Sequence, residues 1–332
     1  MTLLGRDAAK LQPLADELRS VCKHVDVSSD TSTGLKDAEA DAVAARLVDF
    51  ALGTDTGGST RVPASYAGLW GLRTTHGLVS AQGLVPLHPA FDTVTWLAHE
   101  SATFERVGAL LLPPSDFAPM RVLVLQDAWD LADPVFAEPL QRTRDALATL
   151  LNAEPQTLRV AGDTPLTDWR HIYATAGAHE GWATHGAWIT EHQPVFGPAI
   201  ATRWKAASAV TDEAAAAARA QAAAVRERVR ALLGSDGVAV LPSAASLAPR
   251  RDADPAVVDA VRLRTMAITC IAGLAGFEVL RLNLGCGNHK QQGTDRNWLD
   301  AYVHVHHSLL LFYAGSFAVS PVPLTPALSP RR

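Results

Sequence analysis

Apolar residues recur at helical spacing over residues 13–22, with Leu14, Leu18 and Val21 on one face, and Pro13 is tolerated in the first turn of the short surface helix this predicts. The next stretch, HVDVSSDTSTGLKD, alternates briefly and then fills with Ser, Thr, Asp and Gly, which predicts a short strand or turn running into a loop. A second helix is predicted over residues 38–52, burying Val43, Leu47, Phe50 and Ala51, after which Gly53 permits a sharp turn. Between Gly53 and Trp96 glycine and turn formers are dense, so no long helix is expected there. Farther on, the pattern predicts a buried strand at 121–125, a helix at 139–151 and a short strand at 156–160. A packed helical region with several tryptophans follows at 169–197, then an alanine-rich helix at 211–233 with the strongest helix propensity in the chain. Residues 237–244 read as a buried strand, 257–276 as a helix ending at glycine, and 277–284 as another strand. From Gly285 onward apolar periodicity is weak, which predicts little contribution to the central core and a flexible Pro/Ser/Arg-rich tail over 321–332.

Helices alternating with strands predict an α/β protein. The 332 residues are 48% hydrophobic and 19% charged, enough to bury a large core and too apolar for wholesale disorder. A net charge of −5 surrounds the chain with no general cationic field, so nucleic acid is not an expected partner. Cys22, Cys270 and Cys286 are too few and too scattered for a disulfide framework, which predicts a reducing, cytoplasmic setting. Charged residues interrupt the start, and no apolar run reaches the ~18 residues of a spanning helix, so neither a signal peptide nor a membrane partner is expected.

The densest chemistry lies in Gly53-Thr54-Asp55-Thr56-Gly57-Gly58-Ser59-Thr60-Arg61. Two glycines before a serine can leave its hydroxyl exposed while neighbouring backbone N–H groups converge on a phosphate or a developing oxyanion. No lysine follows as in a P-loop, and the spacing is not that of the G-x-S-x-G elbow. Taken generically, the same residues also fit a tight turn capped by Ser59.

The longer stretch LVDFALGTDTGGSTRVPASYAGLWGLRTTHGLVSAQGLVPLHPAFDTVTW resembles the amidase signature family, whose members hydrolyse amide bonds and include amidotransferase subunits. The resemblance is specific over residues 42–100 and extends more weakly through VLPSAA and MAITCIAGLAG. It implies one amidase-like domain over 1–320, with a mixed β-sheet core covered by α-helices, acting on a small-molecule amide without a cofactor. It further implies Ser59 as the acyl-transfer nucleophile, the backbone around Thr56, Gly57 and Gly58 as the oxyanion hole, and Asp55 and Arg61 as supports of the loop.

The family activates its nucleophile through a second serine and an upstream lysine, and here the chain departs from the pattern. The second-serine region falls on TSTGLKDAEADAVAA, with Leu35 and Lys36 in place of the serines and Ser32 out of register. Lys10, Lys23 and Lys36 do not occupy the family's lysine position, and Lys36, a candidate base, reads more simply as a solvated charge before a helix. A shortened amidase with weak or lost activity is therefore one expectation. The alternative is a non-catalytic homologue that binds a ligand or meets a protein partner or a second copy through an opened apolar surface.

Three further features have structural readings. His76 suits a supporting hydrogen bond; His304, His306 and His307 with Asp300 or Cys286 are the one passable metal constellation, at a spacing too short to assign a metal. Trp182, Trp188 and Trp204 suit helix packing, or an apolar substrate wall.

Overall fold

The computed structural model of the chain describes residues 2–4, 23–25, 38–115, 117–250, 252–276, 278–282 and 309–313. The expected helix at 13–22, the Leu35–Lys36 region, the histidine cluster and the tail lie outside them.

The centre is an eight-stranded mixed sheet. Its strands are β3 (Phe50–Asp55), β4 (Trp70–Arg73), β5 (Thr93–Ala98), β6 (Arg121–Leu125), β7 (Gln156–Leu158), β8 (Gly237–Pro242), β9 (Glu278–Leu282) and β10 (Leu309–Tyr313), in the order β3-β5-β4-β9-β10-β8-β6-β7. β6 runs parallel to β7 and β8, and the other pairings are antiparallel. A separate parallel pair, β1 (Thr2–Leu4) and β2 (Lys23–Val25), stands apart in pairing.

The strands at 121–125 and 237–242 are apolar at every position but Arg121, which opens the first and pairs with Asp236, because both faces of the sheet are covered. Successive side chains point to opposite faces. Leu123, Leu125, Ala239 and Leu241 join a core with Trp169, Val225, Val229, Ile268 and Ile271. Those five come from α6 (Leu166–His192), α8 (Asp212–Leu233) and α9 (Pro255–Ala275). The intervening Val122, Val238 and Val240 face the other way, packing with Phe50, Trp96, Phe104 and Leu140 against α3 (Ser101–Leu111) and α5 (Ala137–Leu151). A smaller cluster of Val43, Ala51, Ala64 and Leu97 sits under α1 (Ala38–Ala44) and α2 (Arg61–Ala67). The short α4 (Gln126–Trp129) follows β6 directly, and α7 (Pro198–Ala207) lies between α6 and α8. The α/β architecture, a mixed sheet covered by helices, is the one expected.

The alanine-rich segment is α8, with Ala215, Ala218, Val225, Val229 and Leu233 as its buried stripe. Two expectations require correction. The helix expected over 38–52 ends at Ala44: Arg46 takes a left-handed φ of 58°, Leu47 is 73% exposed, and Phe50 and Ala51 are buried from strand β3 rather than from a helix. Phe50 and Ala51, adjacent positions that continue a helical spacing from Val43 and Leu47, are instead buried on opposite faces of the sheet. The second concerns the segment after Gly285, which supplies β10 between β8 and β9 rather than standing outside the core. The five-residue apolar run LLLFY is what an interior strand looks like, and a search for periodicity passes over it.

Candidate active site

Strand β3 runs straight through Gly53, paired with Thr95 where a sharp turn was expected, and ends at Asp55; the Thr56–Ser59 loop follows, and α2 begins just after it with Thr60 as N-cap. Gly58 sits at φ 121°, a conformation that side chains with a Cβ rarely adopt, and this backbone turn leaves Ser59 exposed on the protein surface. Gly57 is equally constrained, since a Cβ there would lie 2.7 Å from Tyr173 Oη.

Asp55, fully buried, organises the turn. Its Oδ1 accepts from Gly58 N (2.9 Å), Arg61 Nη2 (2.9 Å) and Arg73 Nη1 (3.2 Å). Its Oδ2 accepts from Thr60 N (3.2 Å), Arg61 N (3.1 Å) and Arg61 Nε (3.1 Å). Burial alone would push the carboxyl up, but the Arg61 guanidinium, helped by Arg73, prevails and holds it well below the usual carboxylate range. Arg73 is itself buried, which lowers its affinity for a proton, and the Asp55 charge works against that. Arg73 also donates to the carbonyls of Asp55, Thr56 and Phe91.

The consequence is an alternation along the loop. Asp55 consumes the N–H groups of Gly58, Thr60 and Arg61, leaving those of Thr56, Gly57 and Ser59 with no acceptor among the described residues. The Gly57 carbonyl is pinned by Thr269 Oγ1, which donates to it at 2.7 Å, and Arg61 Nη1 in turn donates to Thr269 O at 3.1 Å. Thr60 Oγ1 meets Thr95 Oγ1 at 2.6 Å, fixing the start of α2 to β5. Such a loop presents fixed donors to an anion beside an exposed hydroxyl.

Of the residues expected here, Asp55, Thr56, Gly57, Gly58, Ser59 and Arg61 therefore share one loop. Gly58 departs from its expected part, because its N–H is committed to Asp55 and its contribution is backbone conformation. Among the described residues no side chain hydrogen-bonds Ser59 Oγ. Lys36, the weak candidate base, lies outside those residues. His76 is exposed and donates through Nε2 to Pro89 O at 2.8 Å, the supporting role expected of it. Trp182 and Trp204 pack at 6.4 Å, whereas Trp188 is 52% exposed and stacks on His192.

Sequence reasoning missed Arg73, Asp92, Thr269 and Tyr173. Arg73 and Asp92 carried a legible signal, a charge inside an apolar stretch (LWGLR and AFDTVTW), which a folded chain tolerates only if the charge is paired. Thr269 and Tyr173 come from distant helices and carried no such mark.

These features define a mixed-sheet α/β protein whose glycine-rich serine loop opens the helix after an edge strand. The Amidase family profile matches residues 38–111, the span that contains this loop. "Amidase 1" of Arabidopsis thaliana is 33% identical over 282 residues, covering 76% of this chain and 66% of that protein. "Amidase 1" of Oryza sativa subsp. japonica is 32% identical over 283 residues, covering 77% and 65%. A solved structure described as that of an amidase superposes with a TM-score of 0.67 at 22% identity, over 83% of this chain and 61% of its own, a likeness of fold. The chain belongs to the amidase signature family, and it spans just under two thirds of the length of the two plant relatives.

Proposed function

We propose that the chain carries an amide-hydrolase site in which Ser59 is the nucleophile. The observation that carries this reading is the alternation of committed and uncommitted N–H groups around Ser59. Ser59 Oγ attacks the amide carbonyl carbon, and the N–H groups of Thr56, Gly57 and Ser59 receive the oxygen as it becomes negative. The C–N bond then breaks, the amine leaves with a proton, and water hydrolyses the acyl-serine ester. Asp55 and Arg61 keep the donors aimed without touching substrate. The substrate is a small-molecule amide, and the setting is the cytoplasm.

The competing reading is a ligand-binding or interaction homologue of low activity. It is favoured by the absence of a described partner for Ser59 Oγ and by Leu35-Lys36 standing where the family has serines, since a hydroxyl without a base is a weak nucleophile. A panel of aliphatic and aryl amides, assayed with the wild type and Ser59→Ala, separates the two. Hydrolysis abolished by the substitution supports the enzyme, and no hydrolysis, or hydrolysis unchanged by it, supports the binding homologue.

A further inference from the structure

Thr56 has a second anchor besides the Arg73 bond to its carbonyl. Its Oγ1 donates to Asp92 Oδ1 at 2.6 Å, and both residues are buried, 6% and 8% exposed. The other oxygen of the same carboxylate accepts from Leu87 N at 2.7 Å and His88 N at 3.0 Å. Asp92 thus ties the anion-facing loop to residues 87–92.

That segment is clamped from outside. Ala90 N donates to Glu180 Oε2 at 3.0 Å and His185 Nε2 donates to Pro86 O at 2.6 Å, both acceptor and donor side chains coming from α6. His76 Nε2 donates to Pro89 O in the same segment. The His88 ring lies so close to Gly177 and Gly181 that a Cβ on Gly177 would fall 2.5 Å from its Nδ1. Asp92 is therefore a fixed point, set by α6, and its bond to Thr56 transmits that fixity to the residue whose N–H opens the row of free donors.

We propose that Asp92 is a positioning residue for acyl transfer: through Thr56 Oγ1 it sets the direction of the Thr56 and Gly57 N–H groups. This rests on the amide-hydrolase reading. The Thr56 and Gly57 N–H groups share their peptides with the carbonyls of Asp55 and Thr56, which Arg73 holds, but a peptide gripped only at its oxygen can still rock about it, and the Asp92 bond removes that freedom.

The test compares Thr56→Val, which deletes the hydroxyl at constant shape, with Thr56→Ser, which keeps it, and with Asp92→Asn. Acylation by a fluorophosphonate probe and hydrolysis of a chromogenic anilide are measured, together with amide hydrogen exchange of the 53–61 peptide. Thr56→Val and Asp92→Asn should each slow acylation and kcat by about 10- to 100-fold with KM changed less than about threefold, the effect of misaimed oxyanion donors. Thr56→Ser should stay within about threefold of wild type, and Thr56→Val/Asp92→Asn should be no slower than the slower single variant. Wild-type rates in Thr56→Val, a Thr56→Ser defect as large as that of Thr56→Val, or multiplying effects in the double variant would overturn the proposal. If wild-type Ser59 accepts no probe, the hydrolase reading fails and exchange decides the positioning claim alone. Faster exchange of 53–61 in Thr56→Val but not Thr56→Ser then supports it, and equal exchange overturns it.

Discussion

Replacing Asp55 by Asn removes one charge while keeping the shape of the residue at the centre of the loop. Each carboxylate oxygen accepts from three donors, so whichever is replaced by an amide NH2 group, three donors lose their acceptor. The guanidinium groups of Arg61 and Arg73, both with fully buried side chains, lose their counter-charge as well. Breaking a buried pair by neutralising one partner costs about 3–5 kcal/mol, a range that already includes the orphaned donors. Against a total stability of about 5–15 kcal/mol, that is a large fraction. Urea unfolding followed by tryptophan fluorescence at neutral pH measures it. The pH dependence supplies a second check. Because the native carboxyl is held below its unfolded value, its contribution is complete above about pH 4 and is lost as pH falls through the lower native value. The wild type should therefore lose stability in acid more steeply than Asp55→Asn. A loss under about 1 kcal/mol at neutral pH, where about 3–5 is expected, would refute the view of Asp55 as the loop's electrostatic anchor.

Other expectations follow from single contacts. Gly57→Ala places a Cβ 2.7 Å from Tyr173 Oη and should slow probe acylation of Ser59 by at least about 10-fold; adding Tyr173→Phe should recover most of it, and no recovery would remove the steric explanation. Burial pushes the Cys270 thiol up to about 12, so iodoacetamide at pH 8 should leave Cys270 unmodified in the native protein and alkylate it after unfolding, as read by peptide mass spectrometry. Thr211 Oγ1 caps α8 by accepting from Ala214 N at 3.2 Å, and Thr211→Ala should lower stability by about 1 kcal/mol in urea titrations.

Much of the layered fold was readable because α8, α9, β6 and β8 each satisfy one local rule strongly: a helical stripe, a Gly stop, or an apolar run bounded by turn residues. The 38–52 region was misread because Phe50 and Ala51 continue the helical spacing of Val43 and Leu47, and only pairing of β3 with β5 over Phe50–Asp55 selects the strand, which buries the two on opposite faces. β10 was missed because its partners, β8 and β9, are distant in sequence. At the site, the motif located the serine loop, yet the roles within it were decided by geometry. Asp55 reaching forward to Gly58 is what divides the N–H groups into committed and, among the described residues, free ones, whereas the family resemblance had implied Gly58 among the donors.

The most direct test of the acyl-transfer site is adduct mapping after incubation of the intact chain with a fluorophosphonate. A single adduct on Ser59 in the peptide containing residues 53–61, absent from Ser59→Ala, is the predicted result. No adduct, or labelling that persists at another residue when Ser59 is replaced, would contradict it.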